Sequence, residues 1–157
     1  MKRFTIFSLM MFLVAALMLP VSASAEKTLK IGLGDPLDSD QGVLALRFKE
    51  IVEKTSGGNY KVDLFPTGQL GDEQKMVKDA RRGSIDGAVV AINNITPFAK
   101  NVGALTLPYL MHNFNDAVKL TTGDLGDKWR AILIKEAGVH LMGWGYSNFR
   151  VLTNSKK

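Results

Sequence analysis

A chain of 157 residues with 20 Lys and Arg, 15 Asp and Glu and no cysteine carries a net charge of +5. The missing cysteine excludes disulfides, thiolate metal sites and a lipid-modified N-terminal Cys, so stability has to come from a packed core. The basic surplus is mild and forms no stripe, which argues against nucleic acid as a partner, and the length suits one domain or part of one.

Residues 1–25, "MKRFTIFSLMMFLVAALMLPVSASA", read as a secretory signal peptide. Lys2 and Arg3 form the positive start, Phe4 to Leu19 is apolar, Pro20 breaks the run, and Ala23-Ser24-Ala25 supplies the small residues of a cleavage site. The apolar run is shorter than the roughly 20 residues that cross a bilayer. Cleavage near Ala25 leaves 132 residues with 18 basic and 15 acidic side chains, a net charge of +3. No second apolar span follows, so the expectation is a soluble, periplasmic chain. Its mild positive charge suits an anionic ligand or partner.

Two periodicities alternate along this remainder. "TLKIGLG" (28–34) sets Leu29, Ile31 and Leu33 on one face, and "YKVDLF" (60–65) does the same with Tyr60, Val62 and Leu64, so both predict strands. Between them, residues 39–58 carry Leu44, Phe48, Ile51 and Val52 at helical spacing, with Ser39 or Asp40 as start cap and Gly57 as stop. A second helix, "GDEQKMVKDARRG", turns Met76, Val77 and Ala80 inward and ends at Gly83, before "DGAVVAI" (86–92) as a buried strand. The order β-α-β-α-β predicts a mostly parallel sheet with helices packed on it and right-handed crossovers. The next stretch, 93–118, has prolines at 97 and 108 and no sustained period, and reads as loop with one short helical turn. A helix is predicted at about 124–137, with Leu125, Trp129, Ile132 and Leu133 in register and Gly138 closing it, and then extended chain over 139–154. Alternation of Phe149, Val151 and Thr153 leaves Arg150 beside Leu152 on the other face, as an edge-strand arginine with its head in water.

Catalytic motifs are scarce. "GLGDPL" after the first strand lacks the third glycine of a dinucleotide fingerprint, and "GYSNF" is not a nucleophile elbow. His112 and His140 have no thiolate or helically spaced partner, so no metal site is expected. The macrodipole explains Asp72 and Glu73 in the first turn of a helix.

Four motifs in order give the chain a family likeness: "EKTSGGNYKVDLFPTGQLGDE", "GSIDGAVV", "LTLPYLM" and "GWGYSNFRVLTNSKK". Over residues 28–157 it resembles the periplasmic solute-binding subunit of tripartite ATP-independent (TRAP) transporters, the DctP-like family. The resemblance implies an α/β fold like that of type II periplasmic binding proteins, a mostly parallel sheet flanked by helices, here as an incomplete first domain. It implies a binding protein, not an enzyme, that needs no cofactor or metal, captures a small organic acid and hands it to membrane permease subunits. By the same resemblance Arg150 faces the ligand carboxylate, to which a planar guanidinium offers paired donors. Gly34 and Asp35 after the first strand, Glu73 at the start of the second helix, and Ala91 and Asn93 at the end of the third strand border the cleft; capping and turn formation also account for Glu73 and Asn93. Members of the family are longer and continue to a second arginine strand and a second domain, so residues 26–157 correspond to the N-terminal part, with the second domain absent. A secreted α/β enzyme using Asp35, Glu73 or His140 as acid or base, or a half-domain acting as an interaction module, are the alternatives.

Overall fold

The computed structural model describes residues 26–147. Residues 1–25, expected as a leader, and Arg150 lie outside the described residues. Within them the expected βαβαβ order is present: β1 (Lys27–Leu33), α1 (Asp40–Thr55), β2 (Tyr60–Phe65), α2 (Glu73–Arg82) and β3 (Gly87–Val89). The sheet is parallel with order β2-β1-β3. Lys27 through Gly32 pair with Tyr60 through Phe65, and Ile31 through Leu33 pair with Gly87 through Val89. The chain is therefore α/β, a parallel sheet flanked by helices.

The alternation read from β1 is the one that folds: Ile31 and Leu33 are buried while Lys27 and Thr28 are exposed. From β2, Val62 is buried. α2 starts at Asp72, whose carboxylate accepts the Lys75 N–H at 2.7 Å, and stops at Gly83 in the left-handed region with φ 75. It lays Met76 and Val77 on the sheet, and Met76 lies so close to β1 that a Cβ on Gly32 would come within 2.7 Å of its sulfur. Full burial of Leu33, Val62 and Met76 contributes about 1.5–3 kcal/mol each.

α1 meets its expected face in part, with Leu44, Phe48 and Val52 half-buried. Ser39 caps it, accepting the Gly42 N–H at 3.1 Å, but the buried line runs through Gly42 and Ala45, and Ile51 is 46% exposed. Small residues set this orientation, because a Cβ on Gly42 would lie 2.2 Å from the Leu37 carbonyl oxygen. The helix also clamps the edge of β2. Lys49 Nζ donates to the Val62 carbonyl at 2.5 Å, and Glu53 Oε1 accepts the Val62 N–H at 2.9 Å. Main-chain groups that an edge strand leaves unpaired are thereby satisfied. The Lys49 ammonium, donating to Glu53 at 2.6 Å, and the Val62 N–H hold the Glu53 carboxyl below the ordinary carboxylate range. A lowered folded value means that this contribution is complete above the unfolded value of about 4.3 and is lost as pH falls through the lower folded one. Melting temperatures followed below pH 5 are expected to fall more steeply for the wild type than for Glu53→Gln; superimposable acid profiles would remove the clamp from the account of stability.

The third strand is shorter than the sequence suggests. It ends at Val89, and Ala91 is the extended residue before a short helix, α3 (Ile92–Ile95). Residues 93–118 are also more helical than expected. A 3₁₀ segment (Lys100–Thr106) buries Val102 and Leu105 at i, i+3, and α4 (Phe114–Thr121) begins at Asn113. Asn113 accepts the Asp116 N–H at 3.1 Å, while Asp116 reaches back to the His112 N–H at 3.0 Å. The helix expected at 124–137 forms as α5 (Gly123–Ile132) continued by a π-helical turn (Leu133–Ala137) that Gly138 closes. Leu125 is 40% exposed because Gly126, whose Cβ would meet the Thr121 carbonyl at 2.4 Å, makes the close approach instead.

These helices share a second apolar centre of Ala99, Val102, Leu105, Leu133 and Ala137, with Ile92, Ile95, Trp129 and Trp144 packed against it. Residues 139–147, the described part of the chain expected as extended, form no strand. They return to the first helix, where the Ser147 hydroxyl donates to Asp40 at 2.5 Å. Among the described residues no helix is long and apolar enough to cross a membrane.

Candidate functional site

In a sheet ordered β2-β1-β3 the chain leaves β1 toward β2 and later arrives on the other side at β3. The loops that follow β1 and β3 consequently part from each other at the carboxyl ends of the strands. This switch point is where open α/β sheets present their ligand crevice. Four elements meet there: Gly34 directly after β1, the first turn of α1, the first residue of α2, and the Ala91 junction leading into α3.

Glu73 joins them. Its Oε1 accepts from Gln41 Nε2 at 2.7 Å, and its Oε2 accepts both the Ala91 N–H at 2.6 Å and Asn94 Nδ2 at 2.7 Å. Gln41 Oε1 in turn accepts the Gly34 N–H at 3.2 Å. All five residues are half-buried. A carboxylate in the first turn of α2 is favoured by the positive helix end, as the sequence suggested, but here it also gathers three donors from two other segments, the start of α1 and the β3–α3 junction. Gly34 is needed for closeness: a Cβ there would stand 2.5 Å from Glu73 Oε1.

The loop between β2 and α2 steadies the arrangement. Thr67, at φ 55, donates its N–H to the Asp35 carbonyl at 3.0 Å, and Gly68, at φ 66, donates to the Leu33 carbonyl at 3.0 Å. The segment "PTGQLG" therefore folds over the end of β1.

Of the residues expected to border a cleft, Gly34, Glu73 and Ala91 come together in one hydrogen-bonded group. Asp35 stands next to it, exposed, and is tied in through its main-chain carbonyl. Asn93 is exposed and, among the described residues, its side chain reaches its neighbour Asn94, at 3.5 Å. Instead of ending a strand, Ala91 precedes a helical turn that carries Asn93 outward and Asn94 toward Glu73.

Gln41 and Asn94 are the two members that sequence reasoning missed. Both are uncharged and sit where capping already explains polar residues; Asn94 carried one signal, its place in the doublet "NN". His112 is exposed beside Asp116, with 3.9 Å between Nδ1 and Oδ2, and His140 is exposed. Among the described residues no group of three His, Asp or Glu is placed to hold a metal ion. The arrangement is a fixed carboxylate acceptor flanked by main chain, which suits the recognition of a hydrogen-bond donor.

Comparison with known proteins adds the following likenesses. Residues 35–157 match the model for the bacterial extracellular solute-binding protein family 7. The chain is 27% identical over 135 residues to the 2,3-diketo-L-gulonate-binding periplasmic protein of Escherichia coli K12, covering 86% of this chain and 41% of that one. It thus spans less than half the length of that relative. Among solved structures it is similar to a TRAP periplasmic solute binding protein from Rhodobacter sphaeroides in an apo open, partially disordered form, with 32% identity and a TM-score of 0.70 over 74% of this chain and 38% of that one. A second, from Polaromonas sp. JS666 bound to D-erythronate, has 29% identity and a TM-score of 0.68 over 71% of this chain and 37% of that one.

Proposed function

The chain belongs to the bacterial extracellular solute-binding protein family 7, and from that premise we propose that it acts as the extracytoplasmic solute-binding subunit of a TRAP-type secondary transporter. In this reading it captures a small organic acid and delivers it to membrane permease subunits. The observation that carries the reading is the Glu73 carboxylate, held by Gln41, Ala91 and Asn94 at the carboxyl ends of the parallel strands. That position supports a ligand crevice, and the family supports binding in place of turnover.

The ligand acid group is assigned to Arg150, whose guanidinium offers two parallel donors to a carboxylate. Glu73 takes a hydroxyl, and the Gly34, Asp35, Ala91 and Asn93 segment forms the wall on this side. Residues 26–157 are the first α/β part of a two-domain binder that closes on the acid; exclusion of water then strengthens the charged hydrogen bonds. Residues 1–25 are a leader removed after Ala25, which the mass of a periplasmic preparation starting at Glu26 would bear out and a retained Met1 would contradict.

Calorimetry of the natural protein that carries this sequence, titrated with aldonates, uronates and C4-dicarboxylates, tests the function. Saturable binding of one acid per chain, a ligand-dependent rise in melting temperature and no product are expected. Conversion of any of these acids would favour a secreted enzyme, and a lack of binding across the panel would defeat the transport reading.

A further inference from the structure

Three groups hold the Glu73 carboxylate, and one of them is itself locked. Gln41 donates through Nε2 to Glu73 Oε1 at 2.7 Å while its Oε1 accepts the Gly34 N–H at 3.2 Å. Turning the amide over would set donor against donor at Gly34 and acceptor against acceptor at Glu73, so both ends fix the same orientation. The other holders are the Ala91 main chain and Asn94 on a helix of four residues.

We infer that Gln41 is a positioning residue for ligand recognition: it locks the Glu73 carboxylate beside the Gly34 main chain as a fixed acceptor, so that the site selects an acid offering a hydroxyl there over one offering a second carboxylate. The inference rests on the solute-binding reading above. A carboxylate has about four acceptor positions; Gln41, Ala91 and Asn94 occupy three. The remaining one accepts a proton donor. A ligand hydroxyl supplies it, whereas a ligand carboxylate at neutral pH has no proton to give and meets like charge. Because Gln41 immobilises Glu73 before the ligand arrives, little ordering is left to be done on binding.

The test is calorimetry on the natural protein with D-galactonate, D-gluconate and D-erythronate as hydroxylated acids and with succinate and fumarate as dicarboxylates. The wild type is compared with Gln41→Ala, Gln41→Glu, Glu73→Gln and the combined Gln41→Glu/Glu73→Gln swap. In the swap, the new glutamine keeps the Ala91 and Asn94 bonds through its carbonyl and donates to the new glutamate, whose other oxygen keeps the Gly34 N–H. Hydrogen bonding survives while the charge moves from α2 to α1.

The wild type is expected to prefer a hydroxylated acid, and Gln41→Ala to weaken that acid about tenfold or more and narrow the preference. Each single charge variant should melt below the wild type without ligand. The swap should recover the melting temperature but not the preference. Wild-type affinity and preference in Gln41→Ala, recovery of the preference by the swap, or a wild type that prefers the dicarboxylates would each overturn the inference. Failure of the wild type to bind any of the acids is a different result, and strikes the solute-binding reading itself.

Discussion

Replacing Glu73 by alanine is expected to destabilise the protein by about 2–3 kcal/mol and to abolish measurable ligand binding. Three donors lose their acceptor at once: Gln41 Nε2, the Ala91 N–H and Asn94 Nδ2. Their half-burial lets water recover part of the loss, which keeps the figure below the full sum of three desolvated donors. The Gly34 loop, the start of α1 and the β3–α3 junction then lose their common anchor, so the proposed ligand wall loosens even where it still folds. Glu73→Gln should fall between the two. Its carbonyl can keep Ala91 and Asn94, but its amide then faces the Gln41 amide, which Gly34 prevents from turning. Denaturant unfolding and calorimetry read both effects, and an alanine variant with wild-type stability would mean that the Glu73 bonds are replaced by solvent without cost.

Arg150→Lys is expected to weaken a carboxylate ligand by on the order of 1.5–3 kcal/mol, because the point charge stays while the planar fork is lost. Arg150→Ala should cost at least as much and leave the melting temperature of the ligand-free protein nearly unchanged, since a side chain kept for a ligand has little to stabilise without one. Calorimetry separates the outcomes. Wild-type affinity in both variants would return Arg150 to the role of a solvated surface arginine.

The elements that a period reveals were legible, and the contacts between elements were not. β1, β2 and α2 follow from alternation in Leu29, Ile31 and Leu33, from Val62, and from Met76 and Val77 ahead of a Gly stop. α1 was visible as a helix with Leu44, Phe48 and Val52 toward the protein, but its fully buried residues were not, because Gly42 and Ala45 bury through closeness. Residues 92–121 fold into pieces too short to develop a 3.6-residue period, and the i, i+3 pair Val102 and Leu105 belongs to a 3₁₀ segment.

The site divides in the same way. Glu73 stands in one of the family's motifs, and Gly34 and Ala91 follow from the wider resemblance, whereas Gln41 and Asn94 matter only because the parallel register brings α1 and α3 to one carboxylate, 32 and 21 residues away in the chain. Between Asn93 and Asn94 the choice depends on which side of one helical turn faces α2, and local sequence does not contain that information.

A crystal structure of the natural protein with its bound organic acid tests the proposed recognition most directly. Electron density is expected to show the acid at the carboxyl ends of β1 and β3, its carboxylate on the Arg150 guanidinium and a hydroxyl within hydrogen-bonding distance of Glu73, with Gln41 still bridging Gly34 and Glu73. An acid bound elsewhere, or a carboxylate turned toward Glu73 with Arg150 left in solvent, would contradict it.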